Sequence, residues 1–381
     1  MVKGRETPVG GLSYFNEPRK LSKEDYRNAL RGIIGRYTGD ADIAAVYDWG
    51  NPSQPGISDL DLVFVMGDDG RRPLPLFRRS FMLLDGKTRY IARHPFLFIT
   101  ESGFGKVAYV YPSGKLRLVH GKRITGKALT KEEEGIALRA VLCDIVIRHY
   151  PRDFLWQQLS GRINVRDSML RLNSLTYTFE AIAKITKKRD GEWEQFAKSV
   201  NELRGRWFAE KDFSTLASLC RESIPLMMDI IEQARELMEI EGRVMKGLPG
   251  NIAYTGIKNR ALFVRDWEKG YALERMTRLL KEEGRHTSVL PMELAPQLLF
   301  YAQQQGRISR HIKSHLNPMV PVSLENNVET VLAKRIGVLN GQAELAHTLR
   351  HSDFPAFFDF GYRNTSGINN MLLRMTDKVR F

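Results

Sequence analysis

The chain has 381 residues, 43% of them hydrophobic, and 58 Lys and Arg against 44 Asp and Glu give a formal net charge of +14. That length and apolar content suit a soluble globular protein of two or three domains. Apolar runs such as AVLCDIVI (140–147) are too short to span a bilayer, the N-terminal MVKGRETPVGG lacks the apolar centre of a signal peptide, and the two cysteines, Cys143 and Cys220, lie too far apart for a disulfide framework or a zinc spacing.

In chain order, 21–37 (LSKEDYRNALRGIIGRY) reads as a helix: Ser22 stands at the N-cap, and Tyr26, Leu30, Ile33, Ile34 and Tyr37 recur at helical spacing. Two apolar runs, 43–47 and 60–66, flank a loop rich in Gly, Pro, Ser and Asn, which gives strand, turn, strand. A polar turn over 67–75 leads to a short helix near 76–84. Strands are expected over 94–102 and, as a hairpin turning at Pro112-Ser113-Gly114, over 106–121. The sheet ends near Ile124.

Beyond it the apolar period changes from two to three and four. Thr130 and Glu133 form a capping box for a helix over 132–149. Helices are predicted over 165–187, 193–204 and 213–244, the last with a methionine-rich side (Met227, Met228, Met238) that reads as core packing. Short turns join these into a bundle, in which both cysteines read as buried free thiols of a cytoplasmic protein. Gly247-Leu248-Pro249-Gly250 marks a boundary. After it, 251–264 reads as a strand pair or an extended arm, and helices resume over 269–283 and 290–315. The aromatic-rich segment 351–370 is expected to wrap back over the body. The fold class is therefore α+β: a small mixed-sheet domain over 1–125, a helical bundle over 126–248, and a mostly helical region over 249–381.

The chemistry concentrates in IAAVYDWGNPSQPGISDLDLVFVM (43–66), where Asp59 and Asp61 stand at the mouth of the second strand. Residues two apart on a strand share a face, at roughly 6.5 Å. Carboxylates that close repel unless a cation sits between them, and Mg²⁺ favours one or two protein carboxylates, with waters and phosphates completing its shell. A bare Asp-x-Asp is common at loop-to-strand junctions. The apolar strand before it, the Trp49-Gly50 turn and the LVFVM strand after it raise this one above that background.

Gly50, a short loop, and then Ser58-Asp59-Leu60-Asp61-Leu62 resemble the signature of the nucleotidyltransferase superfamily, the polymerase-beta-like fold, over about the first 125 residues. The resemblance implies a turn at Gly50 and Asn51 that approaches a nucleoside triphosphate, with Ser58 before the acids. It also implies that Asp59 and Asp61 hold two Mg²⁺ or Mn²⁺ ions, for transfer of a nucleoside monophosphate to a hydroxyl or phosphate acceptor. Two departures stand out: Asn51 replaces the usual Ser or Gly, and the spacer 52–58 is short. The family also supplies a third carboxylate from a neighbouring strand. No apolar-Asp-apolar triplet occurs over 94–102 or 106–121; Glu101 is the nearest candidate for ligand or base, and Asp85 another. A non-catalytic nucleotide- or RNA-binding protein that keeps the fold is thus a second expectation.

The positive balance favours polyanionic partners, with concentrations at Arg71-Arg72, Arg78-Arg79, Lys122-Arg123 and 184–189. No run alternates basic residues with aromatics, which favours a small polyanionic acceptor over RNA. Arg310 and His315 resemble the Arg-and-His pair of small helical ribonucleases, but read better as a solvated basic helix face. Arg162 and Arg166, one helical turn apart, read as a surface pair, with a place in the cleft as the alternative.

Overall fold

The computed structural model describes residues 7–9, 11–38, 42–50, 52–69, 81, 84–112, 114–148, 151–237, 242–256, 260–283 and 287–349; Asn51, most of 76–84 and all of 351–370 lie outside them. Strands β1 (Thr7–Val9) and β2 (Leu12–Phe15) precede helix α1 (Lys23–Tyr37). The expected cap is present: the Ser22 hydroxyl accepts from the Asp25 amide, and the Asp25 carboxylate accepts from the Ser22 amide. There follow β3 (Ile43–Asp48), β4 (Leu62–Met66), α2 (Gly86–Ala92), β5 (Leu97–Thr100), α3 (Glu101–Phe104) and β6 (Arg117–Gly121).

The central sheet has the order β5-β4-β3-β6, with β3 antiparallel to β4 and β6, and β4 parallel to β5. All five residues of β4 are buried, so both faces of the sheet are covered. Alternation sends Val46, Leu62, Phe64 and Met66 against Tyr26, Ile33 and Tyr37 of α1. Ala45, Tyr47, Val63 and Val65 go to the other face and the main core.

That core is built by helices α4 (Lys131–Arg148), α5 (Arg152–Ser160), α6 (Val165–Thr186), α7 (Gly191–Glu210), α8 (Phe213–Leu237) and α9 (Gly242–Gly247), with the short strand β7 (Arg162–Asn164) pairing with β2. Strands β8 (Asn251–Thr255) and β9 (Arg260–Val264), helix α10 (Lys269–Glu283), strand β10 (Thr287–Pro291), helices α11 (Ala295–Gln303) and α12 (Arg307–His315), strand β11 (Leu316–Asn317) and helix α13 (Asn326–Thr348) complete the chain. A further sheet, β10-β9-β8-β11, includes the strand pair expected over 251–264. The architecture is α+β, both cysteines are free and buried, and among the described residues no helix is long and apolar enough to cross a membrane.

Several elements differ from expectation. In place of the first strand of a 106–121 hairpin, a 3-10 turn forms at Val107–Tyr109, and only Arg117–Gly121 is a strand. Phe104, Val107 and Val110 are buried at a spacing of three, a helical period that the alternation reading missed. The helix expected over 290–315 is cut into β10, α11 and α12. Pro291 closes the strand, and Gly306, at φ +127°, lies so close to Asn340 that a Cβ there would meet its Cγ at 2.2 Å.

Helix α13 was not read as an element. Leu332, Ile336 and Leu339 lie in the main core, while Leu345 and Ala346 pack on the other face of the central sheet. The Gln342 amide donates to the Phe98 carbonyl of β5 at 3.3 Å. Fully buried Arg335 donates to the Tyr109 carbonyl at 2.8 Å and pairs with Asp144 of α4. Beside it Glu133, in the capping box with Thr130, accepts from Lys334 at 2.9 Å and from the Tyr109 hydroxyl at 2.7 Å.

The hydrogen bonds from Tyr109, Lys334 and the Thr130 amide hold the Glu133 carboxyl down to about 2. A depressed carboxyl stabilises the folded state fully above its ordinary value of 4.5 and loses that effect as pH falls toward 2. Glu133→Gln is therefore expected to melt below wild type at neutral pH, with the gap closing between pH 4.5 and 2. Thermal scans across that range test it.

Candidate metal centre

Strand β3 ends at Asp48, opposite Leu62 at the start of β4, so the 49–61 turn leaves from and returns to one end of the sheet. The Trp49 amide closes it on the Asp61 carbonyl at 3.2 Å. Leu60 is buried in the apolar cluster under α1, and alternation turns Asp59 and Asp61 the other way. The third contributor follows α2. Arg93 caps that helix in the left-handed region at φ +59°, and the His94 amide folds back onto the Ala92 carbonyl at 2.6 Å. This tight exit delivers both side chains to the acids.

Ligand atoms of Asp59, Asp61 and His94 all lie within 4.8 Å of one another. His94 Nε2 is 2.5 Å from Asp61 Oδ1, and its Nδ1 is 2.9 Å from the Pro95 carbonyl. Arg93 stands 3.7 Å from Asp59 and 3.0 Å from Asp167 of α6. Burial first, and then the charge of Asp61, raise the Asp59 carboxyl against the pull of Arg93 and His94. Burial alone would lower His94, but the charge and hydrogen bond of Asp61, backed by Asp59, outweigh it and favour the imidazolium. The cluster therefore calls for positive charge between its members.

Gly50 lies against this group. A Cβ on it would stand 3.4 Å from Asp61 Oδ2 and 3.6 Å from Asp48 Oδ1, and its amide donates to Asp48 at 3.0 Å. Asp48 is buried, with its second oxygen 2.5 Å from Arg117 of β6. Both oxygens are engaged, and this carboxylate acts as a support for the Gly50 turn. Burial raises its pKa in spite of the Arg117 and Gly50 contacts.

The loop before the acids is tied at Gln54, Gly56, Ile57 and Ser58. Gly56 has φ +89°, and a Cβ there would fall 1.9 Å from the Arg19 carbonyl. Tyr26 accepts from the Gly56 amide at 3.0 Å and donates to the Ser58 carbonyl at 2.5 Å, while Tyr90 donates to the Gly56 carbonyl at 2.6 Å. From α6, Arg166 donates to the carbonyls of Ile57 (3.2 Å), Ser58 (3.2 Å) and Tyr90 (2.7 Å), its guanidinium 3.8 Å from the centre of the Tyr90 ring. From α7, Arg204 donates to the Ser58 hydroxyl at 3.0 Å.

Of the residues expected from sequence, Asp59, Asp61 and Gly50 come together. Ser58 is buried inside the clamp, its hydroxyl taken by Arg204 and the Gln54 amide; Asn51 lies outside the described residues. Glu101 is not brought to the pair. Because β4 and β5 run parallel, with Val63 opposite Leu97 and Met66 opposite Thr100, Glu101 lies past the far end of the sheet, six residues beyond the level of Asp61 and so roughly 20 Å along a strand at ~3.3 Å per residue. There it opens α3 and pairs with Lys122 at 2.9 Å. Asp85 is spent as the cap of α2, accepting from the Lys87 and Thr88 amides.

Arg166 is a buried clamp, correcting the surface-pair reading, whereas Arg162 is exposed, 5.0 Å from the Phe15 ring. Arg310 is exposed on α12, and His315 turns its Nδ1 back to the His311 carbonyl at 2.6 Å. The residues missed from sequence are His94, Arg93 and Asp48. Their signal was faint: a His-Pro step just before the strand that borders β4, and an acid closing the strand before Gly50. Comparison with known proteins finds no matching family model, curated protein or solved structure.

Arg166→Met would leave two carbonyls of the loop and one of α2 without their charged donor. A loss of about 3 kcal/mol is expected from a broken buried charged network, read as a lowered urea midpoint with the helical signal retained at zero denaturant.

Proposed function

We propose that this chain is a divalent-metal-dependent nucleotidyltransferase, which moves a nucleoside monophosphate from a triphosphate to a hydroxyl or phosphate acceptor. The observation that carries the reading is the convergence of Asp59, Asp61 and His94, with ligand atoms within 4.8 Å of one another, at the sheet end where Gly50 exposes bare backbone beside them. Two carboxylates and an imidazole that calls for positive charge fit a divalent ion. Such an ion neutralises triphosphate charge and makes an attacking oxygen more acidic.

The chain's own part is positioning, which dominates phosphoryl transfer. The absent Gly50 side chain lets phosphate oxygens approach the acids. The clamp of Tyr26, Arg166 and Arg204 keeps the acids in register. The acceptor oxygen attacks the α-phosphorus, the bond to the β-phosphate oxygen breaks, pyrophosphate departs, and the acceptor's proton passes to solvent. From 102 to 131 the sequence holds no Asp or Glu, and Lys115, Arg117, Lys122, Arg123 and Lys127 are exposed. This row of cations on and beyond edge strand β6 suits a polyanionic acceptor. A steep fall of RNA affinity with salt would make that acceptor a nucleic acid.

Two observations favour the non-catalytic alternative: Glu101 lies at the far end of the sheet, and Asp48 has both oxygens engaged. Incubation with each labelled triphosphate and Mg²⁺ or Mn²⁺ separates the two. Pyrophosphate release supports the transferase, and calorimetric binding without release supports the binding protein. Asp59→Ala and Asp61→Ala are each expected to lower turnover by about a hundredfold or more. The Asp59→Ala melting point should stay at or above wild type, because removing one of two crowded like charges relieves repulsion. Asp61→Ala also removes the partner of His94 and should melt lower, with its fold checked by circular dichroism. Full activity in both variants would reject the assignment.

A further inference from the structure

His94 distinguishes this cluster from a pair of carboxylates. Its Nδ1 lies 2.9 Å from the Pro95 carbonyl, an oxygen that can only accept, so Nδ1 is the nitrogen that carries the proton. In the neutral ring, Nε2 then holds the lone pair. Nε2 stands 2.5 Å from Asp61 Oδ1, and the ligand atoms of His94, Asp61 and Asp59 all lie within 4.8 Å of one another. A nitrogen and a carboxylate oxygen this close share a proton, which an ion binding both would displace. Backing of the remote nitrogen by a main-chain carbonyl is also how metal-bound imidazoles are fixed in tautomer and direction. Here the direction is set by covalent neighbours: the left-handed Arg93 before the ring and Pro95 after it.

The donor set restricts the ion. Mg²⁺ takes oxygen ligands and accepts imidazole poorly, whereas first-row transition ions accept both. Zn²⁺ prefers closed tetrahedral sites rich in nitrogen and sulfur. Two carboxylates, one imidazole and positions left for water and phosphate oxygens suit an octahedral ion. We propose that Asp59, Asp61 and His94 form a Mn²⁺ site in which His94 Nε2 is a direct ligand, and that this nitrogen sets a preference for Mn²⁺ over Mg²⁺. The inference rests on the reading of the same cluster as a metal centre, and adds the identity of the ion and the residue that selects it.

The test uses the full chain without nucleotide. Titration with Mn²⁺, followed by electron paramagnetic resonance and calorimetry, is expected to give one tight site, with Mg²⁺ at least about tenfold weaker. Pulsed resonance on the bound Mn²⁺ should show ¹⁴N hyperfine modulation. His94→Gln should abolish that modulation and weaken Mn²⁺ by about tenfold or more, while Mg²⁺ changes less than twofold. The wild-type nitrogen signal stands by itself should the variant fold poorly. Equal affinity for the two ions, an oxygen-only Mn²⁺ spectrum, or no binding of either ion would each overturn the proposal. Nitrogen-ligated Mn²⁺ without pyrophosphate release would uphold it and reject the transferase; release with an oxygen-only ion would do the reverse.

Discussion

Arg166 reaches from α6 of the bundle into the loop that carries the acids, and the rest of the site depends on where it holds that loop. A buried guanidinium is costly unless its donors are used, and this one donates to three main-chain carbonyls and lies over the Tyr90 ring. One of those carbonyls belongs to Tyr90 of α2, the helix whose C-terminus delivers Arg93 and His94. A single side chain therefore couples the loop of Asp59 and Asp61 to the segment of His94. Tyr26, Tyr90 and Arg204 close the same loop from α1, α2 and α7. The mixed sheet and the helical region thus position one another through polar contacts.

Electrostatics at the sheet end follow from this rigidity. The clamp holds two carboxylates close together at partial burial, where each disfavours the charge of the other. Arg93, shared with Asp167, offsets part of that cost, and the imidazole of His94 offsets more. Asp48 is kept out of the group by Arg117 and the Gly50 amide. This division of labour leaves two acids and one imidazole facing a shared space, with a third acid serving as scaffold.

Much of the fold was legible because its elements obey simple periods. The Ser22 cap, the apolar runs of β3 and β4, the Thr130 and Glu133 box and the long helices from 165 onward all carry local signals that tertiary contacts leave intact. Helix α13 was not legible because its buried side includes Arg335 and Gln342. These break the apolar stripe, and they are tolerated only because Asp144 and the Tyr109 and Phe98 carbonyls receive their donors. The 106–121 segment misled for the opposite reason: its aromatic and branched residues look strand-like, yet Phe104, Val107 and Val110 pack at a spacing of three.

The sequence by itself determined that Asp59 and Asp61 share a face at the mouth of a strand, since alternation along a backbone is a local rule, and that Gly50 precedes them in a turn. Only the tertiary structure decided which other groups meet them. Parallel pairing of β4 with β5 carried Glu101 to the wrong end of the sheet, while the exit of α2 brought His94 to the right one. Strand direction and helix exit are set by packing between distant segments, so neither can be read from the residues that they juxtapose.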